Sequence, residues 1–90
     1  MDGKRVLITA EQVKEAVALV TEKLIARLNQ KGWHSYASIH ECSGVIDEEF
    51  DELKEAVQLN DHDQFEKEMM DIAVGCIFSI ACKRAKALDW

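Results

Sequence analysis

Residues 69–82 read MMDIAVGCIFSIAC, and only Asp71 and Ser79 among them are polar. The chain contains no proline and only four glycines, so this run favours a helix, which we place over residues 64–88. A helix that is apolar nearly all round must be covered on all sides. The rest of a 90-residue chain covers only part of it. The sequence therefore predicts a second subunit, in a homodimer or a homotetramer.

Two more helices are predicted ahead of this one, over residues 10–30 and 38–59, because apolar residues recur in both at helical spacing. The predicted fold class is all-α, with three main helices per chain forming helical bundles between subunits, and residues 1–90 make a single domain. Gly44 and Gly75 fall inside helices, where glycine costs up to about 1 kcal/mol relative to alanine. Close approach of two helices would offset that cost.

Two helix starts carry capping signals. Thr9 and Gln12 predict a capping box at the start of the first helix. The polar break at residues 60–63 separates the second helix from the third, and either Asp61 or Asp63 caps the third.

The acidic residues are concentrated in one part of the chain. Acids outnumber bases 17 to 11, for a net charge of −6. Residues 47–71 contain eleven acids and two bases, a net −9, which leaves +3 for the rest. A nucleic-acid polymer is not expected as a partner, because neutralising its phosphates needs an excess of Lys and Arg. The acidic window indicates either a cation site or a solvated face.

Four carboxylates in this window lie beside apolar stripes. Glu49 and Glu52 are three residues apart on the second helix, so their side chains are neighbours, and Glu68 and Asp71 repeat that spacing on the third. If the two helices pack antiparallel, the four carboxylates converge. Oxygen ligands with open positions suit Mg²⁺, for which Mn²⁺ is a possible substitute.

A buried carboxylate needs a partner, because burying an unpaired charge is costly. Such a group is expected to be paired with a base, protonated or bound to a metal ion. By helical phase, Lys54 and Lys67 are expected on other faces, so basic partners are scarce. The alternative is that all four acids form an ordinary solvated face.

The sequence segments that contain these acids resemble those of a known family. GVIDEEFDELKEAV at residues 44–57, followed by FEKEMMDIAV at residues 65–74, is similar to the MazG-like branch of the all-α nucleoside triphosphate pyrophosphohydrolases. That family is marked by an E-x-x-E helix, a short gap and an E-x-x-D helix. The resemblance covers roughly residues 40–82, and the sequence departs from many relatives at Gly75, where larger residues are common.

The resemblance implies a function. Such enzymes cleave nucleoside triphosphates, often deoxynucleotides, to the monophosphate and pyrophosphate, and they often serve a house-cleaning role in the cytoplasm. Mg²⁺ held by the four acids would be the cofactor, so the expected catalytic and metal residues are Glu49, Glu52, Glu68 and Asp71. Glu48 is expected beside this set, as an exposed or supporting acid.

Substrate-binding candidates lie outside the acidic window. Trp33 and His34 join the first two helices and either line a nucleotide pocket or pack as a loop on the bundle. Lys83 and Lys86 either contact phosphates or stabilise the negative end of the third helix.

Cysteine content and hydropathy bear on location. The three cysteines, an odd number without a C-x-x-C pair, are expected to be buried reduced thiols, as in the cytoplasm. The longest apolar stretch is too short to span a bilayer, so no membrane partner is expected. The alternative to an enzyme is a non-catalytic helical oligomerisation or adaptor module with a solvated acidic face.

Overall fold

The chain folds into three α-helices. The computed structural model describes residue 3 and residues 5–89, and it contains helices α1 (Ala10–Lys31), α2 (Ile39–Gln58) and α3 (His62–Arg84). No strand occurs among these residues. The predicted all-α class is confirmed.

Side-chain caps fix where each helix begins. The Thr9 hydroxyl accepts from the Gln12 backbone N–H at 3.1 Å, and the Gln12 side chain accepts from the Thr9 N–H at 2.9 Å, which confirms the capping box. Ser38 accepts from the Glu41 N–H at 3.2 Å at the start of α2. Asp61, one of the two predicted candidates, accepts from the Gln64 N–H at 3.0 Å, so α3 begins at residue 62 and not at 64.

The last two helices end in the same backbone motif. Asn60 has φ 52°, and the Asp61 N–H donates to the Ala56 carbonyl at 3.0 Å. Lys86 has φ 58°, and the Ala87 N–H donates to the Cys82 carbonyl at 3.0 Å. Both are left-handed C-terminal caps of the Schellman type.

The end of α3 differs from the prediction. The helix stops at Arg84, four residues short of the predicted end at residue 88. The Asp89 N–H donates to the Ala37 carbonyl at 2.6 Å, so the chain leaves the helix to contact the α1–α2 connection. The left-handed position that ends the helix is occupied by Lys86 and not by glycine. The sequence near residue 84 therefore contains no glycine or proline that would predict this end.

Helix α3 is the central element. The short turn between α2 and α3 makes these two helices antiparallel neighbours. Helix α1 packs on α3 through its C-terminal half, where Leu24 is buried, whereas Val13 and Val17 nearer its start are more than half exposed. The shared core contains Leu24, Cys42, Leu53, Ala56, Val74 and Cys82.

One of the two mid-helix glycines is explained by packing. A Cβ added at Gly75 would lie 2.8 Å from the Ile46 Cδ1, so α2 and α3 approach closely there. A Cβ added at Gly44 would meet nothing within 4 Å. Close approach is therefore observed at Gly75, whereas at Gly44 the described chain brings no atom close.

Much apolar surface stays uncovered. On α3, Met69, Ile77 and Ile80 are 42%, 42% and 60% exposed. The chain exposes 7337 Å², whereas a folded chain of 10.2 kDa exposes about 5300 Å². One chain therefore does not cover its own third helix. Within the described residues, no helix is both long and apolar enough to cross a membrane.

The two glycines give a matched test of helix packing. Gly44→Ala should raise the free energy of unfolding by about 0.5–1 kcal/mol, because alanine favours a helix and its methyl group meets open space. Gly75→Ala should gain less than Gly44→Ala, because its methyl group would lie 2.8 Å from the Ile46 Cδ1 and the end of that side chain must move. Urea denaturation at one protein concentration measures both. Equal gains in the two variants would contradict the close approach of α2 and α3.

Candidate metal centre

Two charged side chains are buried between α2 and α3. Glu68 is 2% exposed and Asp71 is 6% exposed, and they are the buried charged residues of the described chain. Both lie near Glu49 of α2, and Asp71 falls within the largely apolar run of residues 69–82 whereas Glu68 immediately precedes it. Their position follows from the i, i+3 spacing, which places both carboxylates on one side of the helix.

Helix α2 adds a third carboxylate to this pair. Oxygen atoms of Glu49, Glu68 and Asp71 all lie within 4.8 Å of one another. Opposite oxygen ligands of a Mg²⁺ ion are about 4.2 Å apart, since each bond is about 2.1 Å long. Adjacent ligands of such an ion are only about 3 Å apart, so the three side chains would have to move closer together to share one ion. The structure brings three of the four expected ligands together.

The fourth expected ligand, Glu52, lies at the edge of the cluster. Its side chain is exposed, and it interacts with Glu68. A hydrogen bond with Glu68, and then the charge of Glu68, raise the pKa of Glu52. Glu52 therefore belongs to the same electrostatic group, on its solvent side.

Two carboxylate oxygens in the cluster are buried without a hydrogen-bond partner. They are the Oε2 atoms of Glu68 and Glu49. The other oxygen of Glu68 accepts from the Gln64 side-chain amide and from Lys67. A buried acceptor without a partner costs about 1–3 kcal/mol, and more when it is charged. These orphaned oxygens are what a cation would satisfy.

The pKa values of the glutamates in the cluster shift in opposite directions. Burial, and then the charge of Asp71, raise the pKa of Glu49. Burial also opposes ionisation of Glu68, but hydrogen bonds with Glu52 and Gln64 outweigh it and lower the pKa of Glu68. A metal ion bound here would displace protons from the glutamates whose pKa is raised.

Asp71 has three cationic neighbours. Its Oδ1 lies 2.7 Å from the Lys23 Nζ and 3.0 Å from the Arg27 Nη2, and its Oδ2 lies 3.3 Å from the Lys67 Nζ. Burial opposes ionisation of Asp71, but hydrogen bonds from Lys23 and Arg27 outweigh it and lower the pKa of Asp71.

These contacts correct the predicted surroundings of Asp71. The prediction that Lys67 lies on another face is wrong, because it reaches both Glu68 and Asp71 along α3. The sequence does not indicate that Lys23 and Arg27 contact Asp71, because they lie more than forty residues from it in the chain. One sequence feature is consistent with these contacts. Lys23 and Arg27 are four residues apart on α1, and each is followed by a leucine, of which Leu24 is buried in the core.

A cleft of about 220 Å³ opens from the acidic cluster. Glu49 and Asp71 line one part of it, and His34 lines another. Tyr36 and Phe78 also line it, with their rings edge to face at 5.0 Å between centroids. The cleft therefore joins the candidate metal centre to an aromatic wall.

Trp33, the second loop candidate, does not line this cleft. Its indole N–H donates to the Asn29 side chain at 3.0 Å, and its ring lines a different depression with Phe78 and Ala85. The structure therefore separates Trp33 from His34. A role for either in substrate binding stays a prediction.

The structure does not bring the basic residues at the end of α3 to the cluster. Lys83 is twelve residues beyond Asp71 on one helix, which is about 18 Å along the axis. Lys83, Lys86 and Glu48 are all exposed. Phosphate binding by the two lysines stays a prediction, and the bases that do contact the cluster come from α1 and from Lys67.

The cysteines do not all follow the prediction. All three are free thiols, and Cys42 and Cys82 are buried as expected. Cys76 is exposed, so its predicted burial is wrong. It lines an open depression between α2 and α3, together with Ile46 and Ile80.

No protein-family model, no curated protein and no solved structure matches this chain.

Removal of the Glu49 charge should stabilise the metal-free protein. The raised pKa means that ionisation of Glu49 costs folding free energy, and this cost is fully present above the folded pKa and absent below the unfolded value. Glu49→Gln should therefore raise the free energy of unfolding at pH 7 by a few tenths to about 1 kcal/mol. The gain should shrink as the pH falls toward 4.

Chemical denaturation across this pH range, in the presence of EDTA, measures the effect. Glu48→Gln is the matched control, since Glu48 is the exposed neighbour of Glu49 and should change stability little at any pH. A loss of stability in Glu49→Gln at pH 7 would show that the cluster does not repel itself.

Proposed function

We propose that this chain is a Mg²⁺-dependent nucleoside triphosphate pyrophosphohydrolase of the MazG-like kind. Its products would be a nucleoside monophosphate and pyrophosphate. One observation supports the proposal most strongly: Glu68 is 98% buried and leaves a carboxylate oxygen without a partner, within a cluster shared with Glu49 and Asp71. The sequence resemblance, which includes these same acids, is the basis for proposing nucleoside triphosphates as the substrates.

All four carboxylates would bind the metal ion, from different positions in the site. Glu49, Glu68 and Asp71 would hold Mg²⁺ from within the helix interface, and Glu52 would complete the set from its solvent edge. Bound there, Mg²⁺ would neutralise the triphosphate and polarise the phosphoanhydride that is cleaved; Mn²⁺ has the same ligand preferences.

Glu52 is the best placed proton acceptor. It is exposed to solvent, where an attacking water is available, and it adjoins the acidic cluster. Glu48 is exposed on the preceding turn and would act on the site only through its charge.

A second copy of the chain would cover the apolar surface that remains. The chain exposes about 2000 Å² more than a compact chain of its mass. Obligate homodimers bury about 2000–5000 Å² in total, so the excess is of the size that each subunit contributes. We propose a homodimer or homotetramer whose helical bundles form between subunits. A cytoplasmic house-cleaning role rests on the family resemblance alone.

A second candidate function is a non-catalytic helical oligomerisation or adaptor module. The observation that favours it is the pairing of Asp71, whose two oxygens are neutralised by Lys23, Arg27 and Lys67 without a metal ion. This pairing leaves the Glu68 and Glu49 oxygens unsatisfied, which is why we favour the enzyme.

A pyrophosphate-release assay separates the two candidates. With a panel of ribo- and deoxynucleoside triphosphates, we expect turnover of at least one nucleotide that requires Mg²⁺ and stops with EDTA. Asp71→Asn should lower kcat at least a hundredfold, because it removes a ligand charge, while circular dichroism shows the same helix content. Glu66→Gln, which alters an exposed acid of α3, should keep the wild-type rate. Absence of turnover with every nucleotide would reject the enzyme.

The oligomer has its own test. Ile80→Lys places a charge on the exposed apolar face of α3 and should shift the protein toward monomer in sedimentation velocity, because burying an unpaired charge is costly. Gln58→Lys adds the same charge at an exposed position of α2 and should leave the oligomer unchanged. A wild-type protein that sediments as a monomer at all accessible concentrations would contradict the proposed assembly.

A further inference from the structure

Three basic residues form a ridge along α1. Lys23, Arg27 and Lys31 follow one another at intervals of four residues, so they lie on one face of the helix. The ridge extends over eight residues, about 12 Å along the axis. These three residues lie in the C-terminal half of α1, which packs on α3, whereas residues 11–19 of the helix are exposed.

The near end of this basic ridge is bound to the acidic cluster. Lys23 and Arg27 both approach the same Asp71 oxygen, at 2.7 and 3.0 Å, although their own like charges repel. Lys67 takes the other oxygen at 3.3 Å. Lys67 also lies 3.5 Å from the Glu68 Oε1, so it is shared between two acids. Among the described residues, Lys23 and Arg27 have Asp71 as their one acidic partner, so two cations share one carboxylate oxygen.

The far end of the basic ridge reaches the cleft. Arg27 and Lys31 line the same cleft as Glu49 and Asp71. Within the described part of the chain, Lys31 makes no ion pair, and it lies one helical turn beyond Arg27. An anion that entered the cleft from the acidic end would therefore meet Arg27 first and Lys31 next.

We propose that the basic ridge binds the phosphate chain of a nucleoside triphosphate. The inference rests on the proposed function, and it assigns a ligand to residues that the acidic cluster does not explain. A Mg²⁺ ion on Asp71 would repel Lys23 and Arg27. The two side chains would then exchange the Asp71 oxygen for phosphate oxygens, and Lys31 would contact the distal part of the chain.

Arginine is suited to the middle position. Its planar guanidinium presents five N–H donors and binds phosphate through two parallel hydrogen bonds, whereas lysine acts as a point charge. In the structure, Arg27 contacts Asp71 through Nη2, so its second amino group is available to an incoming phosphate. Arg27 could therefore bind a phosphate oxygen through one amino group while the other still contacts Asp71.

Two variants test the basic ridge with different readouts. Lys31→Gln should weaken Mg²⁺-dependent binding of a non-hydrolysable nucleoside triphosphate about tenfold, as expected for one lost charge-assisted hydrogen bond, and leave Mg²⁺ binding alone unchanged. Arg27→Gln should weaken nucleotide binding at least as much, yet tighten Mg²⁺ binding to the free protein, because a competing cation leaves Asp71. Titration calorimetry measures both affinities.

The controls separate a phosphate site from a general charge effect. Lys14→Gln removes an exposed charge of α1 outside the ridge and should leave both affinities unchanged. Inorganic tripolyphosphate should show the same fold losses as the nucleotide, since the ridge contacts phosphate only. Losses confined to the nucleotide, or equal losses in Lys14→Gln, would overturn the assignment.

Failure of the ridge and failure of the enzyme proposal give different results. If the wild type hydrolyses nucleotide but Lys31→Gln and Arg27→Gln bind triphosphate normally, the ridge is wrong and the enzyme stands. If the wild type binds triphosphate through the ridge without hydrolysing it, the enzyme is wrong and the ridge stands. A wild type that binds neither tripolyphosphate nor nucleotide overturns the ridge.

Discussion

Burial of acidic groups between α2 and α3 is the constraint on which this structure depends. Glu68 and Asp71 lie in an interface that is otherwise apolar, and Glu49 faces them from the opposite helix. Such a cluster destabilises a fold unless cations neutralise it. Helix α1 supplies cations to Asp71, but two oxygens on the glutamates remain unsatisfied. The fold thus keeps a site that its own side chains neutralise only in part.

The same constraint links the metal centre to the arrangement of the helices. Helix α1 meets the bundle where Lys23 and Arg27 reach Asp71, and the residues of its first turns are exposed. On α3, the acids occupy the covered side, and apolar residues such as Ile80 occupy the uncovered side. One chain therefore completes the acidic interface but not the apolar one. The proposed second subunit would cover what remains.

Local features of this structure follow from sequence, and contacts between distant segments do not. The Thr9 and Asp61 caps use interactions within three residues, so their chemistry is visible in the chain. The convergence of the acids follows from helical spacing and one short turn. The pairing of Lys23 with Asp71 depends on how α1 crosses α3, which no local pattern specifies. The exposure of Cys76 depends likewise on which face of α3 stays uncovered.

Direct measurement of metal binding tests the central claim, which is that the buried glutamate and its neighbours form a divalent-cation site. Electron paramagnetic resonance of added Mn²⁺ reports free and bound ion without needing a substrate. The account predicts saturable binding by the wild-type protein, competition by Mg²⁺, and loss of that binding in Glu68→Gln at unchanged helix content. Saturable binding that persists in Glu68→Gln, or none in the wild type, would contradict it.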